Sequence, residues 1–170
     1  MGNVATPEAL ALRWAEVVRD PTLRDLPYKI ELNVWGKIER SPASNRHGHL
    51  QAILSAELLR QLPGGLVVSE ASILTDIGVR VPDVIWGSAE FVRTFGENTP
   101  YPQAPEICVE IVSPGNSDDE MREKTRAYLA AGAREVWLVS EAGVIRFFDR
   151  GGERPASAFP VLISLPPPLA

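Results

Sequence analysis

The run Glu106-Ile107-Cys108-Val109-Glu110-Ile111-Val112 most narrows the folds open to this chain. Period two puts Ile107, Val109 and Ile111 on one face of a strand and Cys108, Glu110 and Val112 on the other, so both faces are largely apolar. Such a strand is central and covered on both sides. An explicit helix start follows it. Ser117 can cap, Glu120 closes a Ser-x-x-Glu box, Asp118 and Asp119 suit the positive end of the helix dipole, and Gly132 is a stop signal. The helix from Ser117 to Ala131 leads into a second apolar strand, Glu135 to Ser140, and the unit predicts a right-handed parallel crossover.

The rest of the chain supplies partners for that unit. Pro7 and Asp20-Pro21 delimit a first helix, Glu8 to Arg19, within an amphipathic stretch that starts at Met1, with Leu10, Trp14, Val17 and Val18 on one side. Tyr28 to Asn33 and Lys37 to Arg40 read as a hairpin around Trp35-Gly36. Ser44-Asn45 opens a second helix, with Leu50, Ile53, Leu54, Leu58 and Leu62 at helical spacing, and Pro63-Gly64-Gly65 stops it. Strands are expected over Leu66 to Ser69, Ile73 to Asp76, Val79 to Trp86 and Val144 to Asp149, with a surface loop from Phe91 to Pro105. The sum is an α/β fold: a mixed central sheet flanked by helices, preceded by a helix and a hairpin. One domain is expected over residues 1–170, with its core at about 44–149 and a tail over 150–170, where Leu165-Pro166-Pro167-Pro168 suits an edge contact.

Composition excludes several classes of function. The single Cys108 rules out an intramolecular disulfide and suits a reducing cytoplasm. Nothing resembles a signal peptide or a run long enough to cross a bilayer, so no membrane partner is expected. A formal net charge of -5 argues against a protein that coats nucleic acid nonspecifically. Any nucleic-acid reading must come from a site.

Three charges stand where hydrophobes would fit. Glu110 interrupts the central strand, where an ionised carboxylate is costly unless paired, hydrogen-bonded or bound to metal. Lys124 shares a helical stripe with Met121, Thr125, Tyr128 and Gly132, so its ammonium is aimed at the sheet. Asp83, by alternation along Val79 to Trp86, shares a face with Val79, Val81 and Ile85 directly after Pro82, which lacks a ladder donor. A buried carboxylate–lysine pair would account for two of these residues without further chemistry, but not for the third. Two carboxylates and a lysine suit Mg²⁺, or Mn²⁺ in its place, beside a phosphate: the ion takes one or two carboxylates and keeps several waters.

Pro82-Asp83, then Glu110 in an apolar strand, then a lysine, resembles the PD-(D/E)XK nuclease superfamily. More closely, "VRVPDVIW", "PEICVEIVSP" and "KTRAYLAAGAREVWLV" are similar to the Uma-two family of restriction-endonuclease-like proteins, over about Tyr28 to Asp149. An E-x-K signature would place its lysine at Val112; the resemblance implies a migrated lysine, Lys124, as the stripe does independently. It further implies that the Ile111 carbonyl is a metal ligand beside Asp83 and Glu110, and that an acid or polar group from the first half completes the site.

For that group, Glu70, Glu57 and Glu31 are candidates, with Glu57 fitting a solvated flank better. His47 matches the family's histidine and is open between a surface cap and a substrate contact; Tyr128 fits a core position with its hydroxyl paired better than a catalytic one. The function expected is a Mg²⁺-dependent endonuclease acting on DNA, as a homodimer that gathers scattered Lys and Arg into a cleft. The alternatives are a module that keeps the nuclease fold without cutting and a hydrolase of smaller phosphoesters.

Overall fold

The computed structural model describes residues 4–169; Met1 to Asn3, part of the expected amphipathic stretch, lie outside them. Helix α1 (Pro7–Arg19) is capped by the Thr6 hydroxyl, which accepts the Ala9 N–H at 3.2 Å. It buries Leu10, Trp14 and Val17, whereas Val18 is exposed. Strands β1 (Tyr28–Leu32) and β2 (Ile38–Pro42) form the expected hairpin, whose turn is held by the Asn33 side chain accepting the N–H groups of Trp35 and Lys37. They join β4 (Ile73–Thr75) and β5 (Gly78–Arg80) in an antiparallel sheet of order β2-β1-β5-β4. Gly78, at φ +114, is required here: a Cβ would stand 2.0 Å from the Leu32 carbonyl oxygen. Leu32, Val79 and Val81 close this core beneath α1.

The second sheet has the order β10-β9-β8-β7-β6-β3. Its strands are β3 (Leu66–Ser69), β6 (Val84–Gly87), β7 (Ile107–Val112), β8 (Glu135–Ser140), β9 (Ile145–Asp149) and β10 (Gly152–Arg154). The β7–β8 pair is parallel and every other pair antiparallel, so the crossover expected from the sequence is present and the sheet is mixed. Helix α2 (Asn45–Gln61), capped by Ser44, lays Leu50, Leu54 and Leu58 against Ile107, Val109 and Ile111. On the opposite face Cys108, Val136 and Leu138 meet Met121 and Tyr128 of α4 (Asp118–Ala130). Period two along β7 thus sorts its residues as the sequence requires.

Three expectations are corrected. Val79 to Trp86 is not one strand: β5 and β6 belong to different sheets, and Val81-Pro82-Asp83 carries the chain between them. Proline has no N–H to give a ladder, and on either side of it the donors leave for other partners. The Val81 N–H goes to Glu31 Oε1 at 2.8 Å, and the Asp83 N–H to the Val109 carbonyl at 2.9 Å. Second, Phe91 to Pro105 is not all loop, because Ser88 caps a helix α3 (Ala89–Phe95) that buries Phe91 against Tyr101. Third, the strand β10 lies within the expected tail. Beyond it the chain lays Phe159, Val161, Ile163 and Leu165 over the α2 side of the core. Gln61 holds this strap through two 2.8 Å hydrogen bonds with the Leu162 backbone. Among the described residues no helix is long and apolar enough to cross a membrane.

Candidate active site

The site lies where the two sheets meet. Along β1, Ile30 and Leu32 turn toward the α1 core, which sends Lys29 and Glu31 the other way. The break at Pro82 delivers Asp83, β7 delivers Glu110, and α4 brings Lys124 and Tyr128 from the same helical stripe. All three expected charges converge, Asp83 at 1%, Glu110 at 2% and Lys124 at 6% exposure.

Asp83 is held from three sides. Its Oδ2 accepts the Ile111 N–H at 2.7 Å, Lys29 Nζ donates to Oδ1 at 2.9 Å, and His47 Nε2 stands 3.1 Å from the same oxygen. Burial works to raise this carboxyl, yet His47 and Lys29 hold it below the ordinary carboxylate range. Gln51 on α2 donates to the Asp83 carbonyl at 2.8 Å, so the backbone is anchored as firmly as the side chain.

Glu110 receives the Tyr128 hydroxyl at 2.6 Å and Lys124 Nζ at 3.4 Å on Oε1, and Lys29 Nζ at 3.4 Å on Oε2. Here burial wins: reinforced by the charges of Asp83 and Glu31, it raises the carboxyl above its ordinary value against the pull of both lysines. Lys124 also reaches Glu31 Oε2 at 3.1 Å. Burial pulls its ammonium down, but Glu110 and Glu31 hold it up, so the group is charged. Glu31 is further bound by Arg80 at 3.3 Å. Burial would raise the Tyr128 hydroxyl in any setting, and beside Glu110 it stays a neutral donor. Tyr128 is thus a core residue that pairs its hydroxyl, as the sequence favoured.

Of the accessory candidates, His47 is brought in, buried, with its Nδ1 3.4 Å from Ser113 Oγ. Glu70 is not: it is exposed at a turn with φ +56, and only its backbone touches the site, donating to the Asp83 carbonyl at 3.1 Å. Glu57 pairs with Arg60 and Gln61 on α2. The acid that reaches the group is Glu31. Lys29 and Arg80 were not singled out by the sequence reasoning. The available signal was the alternation Lys29-Ile30-Glu31-Leu32, which puts two charges on one side of a strand, a pattern that a solvated hairpin shares.

The residues suit a divalent cation. Lys29 Nζ already sits between Asp83 and Glu110, so the two carboxylates can share a positive charge. The Val109 carbonyl accepts from Asp83, and alternation turns the Ile111 carbonyl to that same side, where β6 has not yet begun. Among the described residues no three His, Cys, Asp or Glu side chains form a ligand group. Asp83, Glu110 and the Ile111 carbonyl could hold one divalent ion, with water at its other positions. A cavity of about 500 Å³ opens onto this cluster, walled by β1–β2 on one side and the first turns of α4 on the other.

Comparison with known proteins bears on the fold and the family. A solved structure described as "a putative nuclease belonging to DUF820 from Anabaena variabilis ATCC 29413" superposes with a TM-score of 0.58 at 17% identity, covering 81% of this chain and 86% of that one. At that identity the likeness shows the fold. No curated protein sequence matches. The model of the Uma2 family, described as "Putative restriction endonuclease", matches residues 14–169. With a match over nearly its whole length, and with Pro82-Asp83, Glu110 and Lys124 converging at one centre, this chain belongs to the Uma2 family.

Proposed function

We propose that the protein is a Mg²⁺-dependent endonuclease that hydrolyses phosphodiester bonds in DNA. The observation that carries this reading is the convergence of Asp83, Glu110 and Lys124, from three different elements, in one buried cluster whose Lys29, Glu31 and Lys124 line a cavity. Asp83, Glu110 and the Ile111 carbonyl would hold the ion, with Mn²⁺ as a substitute. The bound ion would polarise the phosphoryl oxygen and acidify a coordinated water. Lys124, kept charged by Glu31 and Glu110, orients the attacking water and offsets the negative charge that develops as its oxygen bonds to phosphorus and the ester P–O bond breaks. Tyr128 and His47 act through the acids: one fixes Glu110 Oε1, the other Asp83 Oδ1. Cleavage of DNA and RNA, single- and double-stranded, with Mg²⁺ or Mn²⁺ tests the reading. Activity on DNA is expected for the wild type and absent from Asp83→Ala and Lys124→Ala; activity that survives in both variants assigns the cleavage elsewhere.

A second reading, a module that binds without cutting, is favoured by Lys29. Its ammonium occupies the space between the two acids, and with Lys124 and Arg80 it pairs the buried carboxylates internally. No cleavage by the wild type under any metal condition, with nucleic acid still bound, selects this reading.

A further inference from the structure

We infer that Lys29 is a movable counter-ion: its ammonium holds Asp83 and Glu110 together until a divalent ion takes that place, and then turns out into the cavity to face an anionic substrate. The inference rests on the nuclease reading and concerns how that site is loaded.

Lys29 stands between the acids and the cavity. Its Nζ donates to Asp83 Oδ1 at 2.9 Å and to Glu110 Oε2 at 3.4 Å. Lys29 also lines the cavity of about 500 Å³, together with Glu31 and Lys124, whereas the buried Asp83 and Glu110 do not.

The two carboxylates keep their positions without it. Asp83 Oδ2 accepts the Ile111 N–H at 2.7 Å, and Glu110 Oε1 accepts the Tyr128 hydroxyl at 2.6 Å and Lys124 Nζ at 3.4 Å. Lys29 occupies the other oxygen of each. Its withdrawal bares Glu110 Oε2 and leaves Asp83 Oδ1 to His47 Nε2, 3.1 Å away. One oxygen from each of two carboxylates, with water at the remaining positions, is a hard cation's ordinary share of protein ligands.

Charge gives the reason to move. Lys29, Lys124 and Arg80 face Asp83, Glu110 and Glu31, so the buried cluster is formally neutral. A divalent ion added to it would leave two positive charges without partners where water is excluded, a costly state. With Lys29 turned outward one of them leaves the cluster, and an anionic substrate answers the other. The ammonium then lies among Glu39, Glu120 and Glu123 of the cavity wall, where it offsets their repulsion of a phosphate.

The residue and its strand suit such a movement. β5 pairs with β1 at Leu32 and not at Lys29, so in the sheet the Lys29 end of β1 has β2 alone beside it. An ammonium on a flexible four-carbon stem can leave two acids that a planar guanidinium would fork and hold. Of the 17 Lys and Arg residues three are lysines, Lys29, Lys37 and Lys124, which makes a lysine-specific reagent a direct probe of the site.

The test is reductive methylation of the full chain with isotope-labelled formaldehyde, read by peptide mass spectrometry, without a divalent ion, with Ca²⁺, and with Ca²⁺ and a DNA duplex. Calorimetry and fluorescence anisotropy establish that the ion and the DNA are bound. The exposed Lys37 and the buried Lys124 are internal controls. Without the ion Lys29 should be protected like Lys124. With Ca²⁺ its labelling should rise toward the rate of Lys37 while Lys124 stays protected, and DNA should protect Lys29 again. Lys29→Met should bind Ca²⁺ more tightly than the wild type. Lys29 that stays protected with Ca²⁺ bound overturns the inference and leaves the nuclease reading standing. A joint rise at Lys29 and Lys124 is general loosening and overturns it as well. Labelling that bound DNA does not suppress overturns the contact with substrate. Exposure of Lys29 by Ca²⁺ with no binding of DNA upholds the movement and removes DNA as the substrate. Binding of the ion by Lys29→Met alone makes Lys29 a fixed block and overturns its movement, and no binding of Ca²⁺ or Mn²⁺ by either protein overturns the inference and the nuclease reading together.

Discussion

The carboxylate of Asp83 accepts the backbone N–H of Ile111 at 2.7 Å. A side chain thereby does what a neighbouring strand would do, at the point where Pro82 interrupts the path from one sheet to the other. The same residue holds Lys29 and stands beside His47, so the join between the sheets and the candidate active site share one group. Asp83→Ala should then lose stability as well as cleavage. Removing one partner of a buried ion pair costs about 3–5 kcal/mol. Asp83→Asn should keep the Ile111 contact and lose less, while remaining inactive. Urea unfolding of the two variants checks this: equal losses would mean that the Ile111 hydrogen bond contributes nothing.

Lys124 separates chemistry from folding. Its side chain is almost wholly buried between Glu31 and Glu110, so Lys124→Met fills the space but removes the charge. In the endonuclease reading, kcat is expected to fall about 10²–10³-fold, the usual range for removing one electrostatic stabiliser of a transition state. Binding of uncleaved DNA should change little. A variant that folds and still cuts at the wild-type rate would remove Lys124 from the mechanism.

Lys29 bridges Asp83 and Glu110, the pair expected to share a metal. A divalent ion must compete with that ammonium. Lys29→Met should therefore bind Mn²⁺ more tightly, seen by calorimetric titration and as a larger metal-induced rise in Tm than in the wild type. Weaker binding by the variant would instead make Lys29 a supporting group of the metal site.

Acid should loosen the same cluster. Burial acts to raise Glu31, but Lys124, Lys29 and Arg80 hold it below its ordinary value, as His47 and Lys29 hold Asp83. A carboxylate with a lower pKa folded than unfolded gives stability that is complete above the unfolded value, about 4, and is lost as pH falls through the folded one. Glu110, whose folded value is raised, has the opposite sign and contributes less as pH rises. The urea midpoint of the wild type should drop below about pH 4, and Glu31→Gln should show a shallower drop. Parallel curves for the two proteins would exclude Glu31 as a source of the acid response.

Much of this centre was legible in the chain itself. The alternation of Ile107 to Val112 sets Glu110 on the face that α4 covers, and the cap at Ser117 sets the phase of the helix, so that Lys124 and Tyr128 come back over that strand. These are local relations within some twenty residues, governed by periods of two and 3.6. The break at Pro82 was half legible. Proline marked a distortion but not that β5 and β6 part into different sheets, because the partners of Val81 and Asp83, Glu31 and Val109, lie elsewhere in the chain.

Residue order alone determined which charges were out of place: Asp83 and Glu110 among hydrophobes, and Lys124 on an apolar stripe. Only the tertiary structure decided what answers them. Lys29 meets Asp83 across 54 positions and Glu110 across 81, and Glu31 meets Lys124 across 93. Periodicity tells which side of its own strand a residue takes, not what stands opposite. On an exposed hairpin Lys29 and Glu31 would be ordinary surface charges. They become part of the site because docking the hairpin against β7 and α4 removes water from both, and a buried charge must then find its partner within the protein.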